Sequence, residues 1–225
     1  MGNETRMPDS PVPSAKGGNL QTATFGMGCF WSPEALFGHL PGVVRTRTGY
    51  AGGTLSDPSY RKMGDHSETV QIDFDPDEIT FGEILEIFWS SHNPVNINDY
   101  KGRQYMSLLL YHDEGQHREI RHVIQKRAAL GKGKPETEIA PYSRWYLAEE
   151  RHQKYYLQRY PDAVDKLHVL YPSGNEWMNS ALAARLNGLA KGYTNLERII
   201  QEIQSGPFSH AHKETVIGLI RQIRW

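Results

Sequence analysis

Cysteine is almost absent from this chain of 225 residues, which contains only Cys29. A single thiol excludes an intramolecular disulfide and every zinc site built from several thiolates. A lone free thiol fits a reducing compartment, so a cytoplasmic location is expected. Long apolar runs are lacking too, so no bilayer span is expected. The N-terminus has no apolar segment of the secretory kind. Neither sign of charge dominates: 25 Lys and Arg stand against 26 Asp and Glu, for a formal net charge of −1. No global field therefore draws the protein to nucleic acid or to an anionic membrane, and neither is expected as a partner. The ten histidines are scattered without a repeated ligand spacing, so no metal site is expected.

What is present is an ordinary globular composition, 38% hydrophobic and 23% charged, with a leader and two further parts. Residues 1–20 carry Pro8, Pro11, Pro13, Gly17 and Gly18 with few apolar residues, which predicts a flexible leader. A strand is expected over Thr22–Gly26 and a helix over Ser32–Leu40, because Pro33 is tolerated only in a first helical turn. Further strands are expected over Val43–Tyr50 and Thr69–Asp75; the second alternates with Val70, Ile72 and Phe74 on one face, as a half-buried strand does. Thr80 and Glu83 form a capping-box pattern before the apolar face of Ile84, Leu85 and Phe88. Tyr105–Tyr111 predicts a strand, and Asp113 with Gln116 starts a helix. A strand near Glu136–Ala140 and a helix from about Ala148 to Arg159 complete this part. The first six elements match a split βαβ pattern, so the fold class is α+β. It should be a two-layer, ferredoxin-like core with a mixed or antiparallel sheet over 21–160. Beyond Pro161, Asn175–Lys191, Thr194–Gln204 and Ala211–Arg224 read as helices, which makes 161–225 a helical C-terminal extension.

Chemistry is concentrated at two places. Free cysteine is often an inert core residue. Cys29, however, sits at a strand-to-helix junction between Gly28 and the aromatic pair Phe30 and Trp31. A helix N-terminus favours thiolate through its dipole and unpaired N–H groups. Glu68 shares the parity of Val70, Ile72 and Phe74 and should point inward at the mouth of its strand. Desolvation there should raise its pKa and keep it protonated as an acid. Tyr60 and Tyr105 could each offer a phenolic hydroxyl to a polar substrate atom.

Taken in order, these segments resemble the peptide methionine sulfoxide reductase A family. The likeness is carried by Gly28-Cys29-Phe30-Trp31, Gly49-Tyr50-Ala51-Gly52-Gly53, Asp57-Pro58-Ser59-Tyr60 and His66-Ser67-Glu68. It continues through Phe88-Trp89, His92-Asn93-Pro94, Gln104-Tyr105-Met106-Ser107, Ala148-Glu149 and His152-Gln153, and runs from about Ala23 to Tyr160. The resemblance implies reduction of the S epimer of methionine sulfoxide, free or in proteins, without a bound cofactor. Cys29 would attack the sulfur and end as a sulfenic acid. Glu68, helped by Tyr60 and Tyr105, would serve the oxygen. Phe30 and Trp31 would hold the substrate methyl.

The chain also departs from the pattern. Ser32 and Met106 replace a usual Gly and Arg. The loop Asn93–Gln104 is short, and the spacing of Asp99 does not match the usual aspartate. With no second cysteine, the sulfenic acid would be resolved by an external thiol: glutathione with glutaredoxin, or thioredoxin. Two other readings are a sulfoxide-binding or redox-sensing module without turnover, and a reductase of a non-methionine sulfoxide. A cysteine hydrolase is disfavoured because neither His66 nor His92 has a spacing that links it to Cys29.

Overall fold

The computed structural model describes residues 19–225 apart from Asn98, Tyr100 and Lys101, so residues 1–18 of the expected leader lie outside the described residues. The alternating apolar segments form β1 (Gln21–Met27), β2 (Val43–Ala51), β3 (Ser67–Phe74) and β4 (Ser107–Tyr111), joined by β5 (Glu138–Pro141) and β6 (Trp145–Leu147). They make one mixed sheet in the order β5-β4-β1-β3-β2-β6. β1 runs antiparallel to both β3 and β4, β2 is antiparallel to β3 and β6, and β5 pairs parallel with β4. The helices α1 (Trp31–Gly38), α2 (Phe81–Ser90) and α3 (Glu114–Ala129) alternate with these strands, so the class is α+β as expected.

One sheet face is packed with aromatic side chains. The Phe25 ring on β1 lies 5.2 Å from Phe37 on α1 and 5.0 Å from Phe88 on α2. Each such ring contributes about 1.5–3 kcal/mol by leaving water. The capping signals act as their residue types dictate. Thr80 and Glu83 bond reciprocally at the start of α2, and Asp113 accepts from the Gln116 amide to start α3. The opposite face is covered as well, which corrects the half-buried expectation for β3. Every residue of β3 is buried. Asp73 tolerates this position by accepting from Thr22 Oγ1 at 2.8 Å and from Arg45 Nε at 2.6 Å.

After Tyr160 come α4 (Pro161–Leu170), α5 (Ala181–Lys191), α6 (Leu196–Ser205) and α7 (His210–Arg221). They enclose an apolar cluster of their own, which includes Trp177, Leu182, Leu186, Ile199, Ile203, Val216 and Ile220. This extension also packs on the sheet part, with α5 against α1 and β2. Arg185 fastens the join, donating to Gly38 O at 2.6 Å and Val43 O at 2.9 Å while it pairs with Glu202.

Several expectations give way to tertiary contacts. Ala148–Arg159 is not a helix but two single 3-10 turns, Glu150–His152 and Leu157–Arg159, with Lys154 between them at φ +49°. Its backbone and side chains bond across to β2 and α1 instead of closing helical turns. Tyr105 belongs to a 3-10 turn, Arg103–Tyr105, ahead of the strand that begins at Ser107. The helix expected from Asn175 starts at Ala181, because the Ser180 side chain caps it there. The strand β6 and the helix α4, with Pro161 in its first turn, were not anticipated. Among the described residues, no helix is long and apolar enough to cross a membrane.

Candidate active site

Gly28 ends β1 with φ +91°, a left-handed conformation that glycine adopts without strain. That turn places Cys29 just ahead of α1, half-buried, where the Trp31 amide donates to its sulfur. The expected depression of the thiol pKa does not result. Burial pushes it up to about 11, against the pull of the Trp31 amide, and the negative charge of Glu68 adds to the rise. Water is removed from the sulfur faster than one helix turn can replace it.

Glu68 stands opposite Tyr50 in the β3–β2 ladder and is only 1% exposed. Its Oε2 accepts from the Phe30 amide at 3.1 Å and its Oε1 from Gln104 Nε2 at 2.9 Å. Its charge also acts on Cys29. Burial raises the Glu68 pKa, and its hydrogen bonds offset only part of the rise. The parity argument placed this carboxyl inward at the mouth of its strand; Gln104, its side-chain partner, was not singled out for a role.

Tyr60 and Tyr105 meet at the same place. Tyr60 is 36% exposed on the turn after β2, and its hydroxyl hydrogen-bonds with that of Tyr105. The Tyr105 pKa is raised by burial first and then by the charge of Glu68, so this phenol stays a protonated donor near the carboxyl. Phe30 is completely buried, 5.9 Å from the Tyr50 ring and 5.3 Å from His152. Trp31 is half-buried and lies face to face with Tyr155 at 3.7 Å. Its indole N–H donates to His152 Nδ1 at 3.2 Å. Burial lowers the His152 pKa, which favours the neutral ring that can accept this bond.

The irregular segment Ala148–Tyr156 straps these pieces together. Glu149 accepts from the Tyr50 hydroxyl at 2.7 Å and from the Tyr60 amide at 3.1 Å. The Gln153 amide group bonds both Thr48 N and Thr48 O, imitating a strand partner. Lys154 and Glu34 form an ion pair of 2.6 Å with both side chains 0% exposed. The Lys154 ammonium also donates to Thr46 O at 2.7 Å, and the Lys154 amide to the other Glu34 oxygen at 2.7 Å. Glu149 and His152 were visible as motif letters without a role; Glu34, Lys154 and Tyr155 gave no signal in the sequence. Asp99 is exposed and bonded to Asn96 at 2.8 Å, so its contacts are local to its loop. Among the described residues, no group of three or more His, Cys, Asp or Glu could hold a metal ion.

The arrangement is a thiol close to a buried, protonatable carboxyl, with two phenols beside it and an indole wall. It can transfer a proton to an oxygen while sulfur attacks. A family model described as peptide methionine sulfoxide reductase matches residues 21–182, past Tyr160 and into α5. A peptide methionine sulfoxide reductase of Drosophila melanogaster is 44% identical over 187 residues, covering 82% of this chain and 74% of the relative. One from Methanococcoides burtonii is 38% identical over 146 residues, 61% of this chain and 95% of the relative. Among solved structures, methionine sulfoxide reductase A of Corynebacterium diphtheriae aligns with TM-score 0.54 and 31% identity over 68% of this chain and 86% of that one. Mxr1 of Saccharomyces cerevisiae in reduced form aligns with TM-score 0.57 and 29% identity, covering 66% and 90%.

Proposed function

Since the chain belongs to the peptide methionine sulfoxide reductase family, we propose that it reduces the S epimer of methionine sulfoxide through Cys29, with Glu68 as the acid. The observation that carries this is the buried Glu68 carboxyl, held by Phe30 N and Gln104 Nε2 close enough to Cys29 that its charge raises the thiol pKa. Burial is the main cause that raises the pKa values of both groups. Passing the thiol proton to Glu68 makes the nucleophile and the acid together. The Cys29 sulfur then bonds to the sulfoxide sulfur while Glu68 gives its proton to the oxygen; the resulting hydroxyl passes to the Cys29 sulfur as the original S–O bond and the new sulfur–sulfur bond both break. Methionine leaves, reduced by two electrons, and Cys29 is oxidised to the sulfenic acid. The Tyr60 and Tyr105 hydroxyls hold the oxygen, and Trp31 walls the methyl with Phe30 packed behind it.

Two equivalents of an external thiol complete the cycle. The first displaces water from the sulfenic acid to give a mixed disulfide; the second releases Cys29 and leaves as the oxidised reductant. Glutathione with glutaredoxin, or thioredoxin, can supply them, and no bound cofactor takes part. The sole cysteine supports a reducing compartment such as the cytoplasm. The central order β4-β1-β3-β2, antiparallel throughout, supports a ferredoxin-like core carrying this site. The test is turnover of each sulfoxide epimer by the intact protein and by Cys29→Ser. Methionine should form from the S epimer alone and only with Cys29 present. Product from the variant would defeat the assignment.

A further inference from the structure

Cys29 faces a second space that the chemistry above does not use. A cavity of about 480 Å³ opens between α1, the segment after α2 and the extension. Cys29, Ser32, Asn96, Ile97 and Tyr193 are among its walls, while Glu68, Phe30, Trp31, Tyr60 and Tyr105 are not. Its size is that of a small-molecule site, and its lining includes no carboxylate among the described residues.

Tyr193 reaches this cavity from the far end of the chain, and local geometry holds it there. Gly192 closes α5 at φ +89°, and the Tyr193 amide donates to Gly188 O at 2.9 Å, the pattern of a Schellman cap. The ring stacks on His39, 5.8 Å away. A cation stands close by: Lys191 Nζ lies 4.8 Å from the centre of the Tyr156 ring, whose hydroxyl bonds Ser32 on the cavity wall at 2.8 Å.

Resting on the function proposed above, we infer that this cavity admits the resolving thiol and that Tyr193 and Lys191 select a small, carboxylate-bearing one. Displacement at a divalent sulfur requires the thiolate to arrive opposite the departing oxygen. In the sulfenic acid that oxygen stays with Glu68, so the attack must come from a side that Glu68 does not line. The S–O bond of Cys29 breaks and the new S–S bond forms. The oxygen leaves as water with the proton of the incoming thiol, relayed by Glu68. The Cys29 sulfur gains the electrons, and a second molecule of the same thiol later reduces the mixed disulfide. A lining without carboxylates among the described residues does not repel the thiolate, and the Lys191 charge favours the carboxylates of the ligand.

The experiment separates the two half-reactions of the full chain. Enzyme is oxidised with stoichiometric methionine sulfoxide, released methionine is measured, and sulfenic acid decay is then followed with glutathione, 2-mercaptoethanol or reduced thioredoxin. Tyr193→Ala should raise the glutathione concentration for half-maximal decay several-fold, and Tyr193→Phe, which keeps the ring, should restore it. Lys191→Ala should raise it about three- to fivefold, the scale of an exposed charge contact, and leave 2-mercaptoethanol unaffected. Thioredoxin rates should not change. The inference is overturned if Tyr193→Ala leaves glutathione decay unchanged, slows methionine release, or slows thioredoxin equally. No methionine from the unsubstituted protein would instead defeat the underlying function.

Discussion

The sheet part and the helical extension bury different things. Under the strands and α1, and along the strap that follows β6, the groups Glu34, Glu68, Asp73, His152 and Lys154 are all buried. The cluster enclosed by α4–α7 is aliphatic and aromatic, with Arg185 as the charged group buried beside it, and that arginine reaches out to the sheet part. Burying charge costs several kcal/mol per ion unless partners replace the lost water. That cost is accepted where a charge must stand at a given place. Glu34 and Lys154 hold α1, and so Cys29, against the strap that carries His152 and Tyr155. The interior of the extension holds none of the candidate site residues and is built for burial. Stability and chemistry are thus drawn from different residues, and substitutions should separate them.

The largest stability effect should come from splitting the buried pair. Lys154→Met leaves the Glu34 carboxylate without its cation, which costs about 3–5 kcal/mol. Adding Glu34→Gln should recover part of the loss, because both charges are then gone. Urea unfolding of the single and double variants measures both. Equal losses in the two would show that packing, not charge, holds α1. A somewhat smaller effect is expected in the extension, where Ile203→Ala should cost about 2–5 kcal/mol by leaving a cavity. Its methionine release per oxidised enzyme should stay near normal; a parallel loss of both would erase the contrast between the two regions.

The least effect on stability and a selective effect on rate are expected from Glu68→Gln. Removing the transferable proton should slow methionine formation by about a hundredfold or more. The same residue predicts a pH dependence. Its folded pKa is raised, so the folded state holds the proton beyond the ordinary carboxylate range. Stability linked to it is complete below the unfolded pKa and is lost as pH rises through the folded one. The Cys29 thiol, raised to about 11, repeats this between its ordinary value of 9.0 and about 11. Thermal melts of the intact protein should therefore fall more steeply over that alkaline window than those of Cys29→Ser. Identical slopes would place the titrating group elsewhere.

Much of the site could be seen in the chain because it is locally encoded. The turn at Gly28 sets Cys29 before α1, and the alternation of β3 puts Glu68 on the same face as Val70, Ile72 and Phe74. The Thr80–Glu83 and Asp113–Gln116 patterns start their helices where expected. In each case residues within a few positions of one another settle the outcome, so the signal survives in linear order. The strap was misread for the opposite reason: its composition suits a helix, but its hydrogen-bond partners lie elsewhere. Lys154 and Glu34 are 120 positions apart. Trp31 and His152, 121 apart, likewise meet only in the folded chain. The thiol pKa belongs to the same class, since burial and a facing carboxylate override the helix N-terminus that sequence could foresee. Tyr193 is the extreme case, an unremarked loop residue until α5 packs on α1. The sequence by itself determined which thiol and which carboxyl are candidates for the chemistry, because their motifs are short and local. Only the tertiary structure decided what surrounds them, because those contacts depend on how distant segments exclude water together.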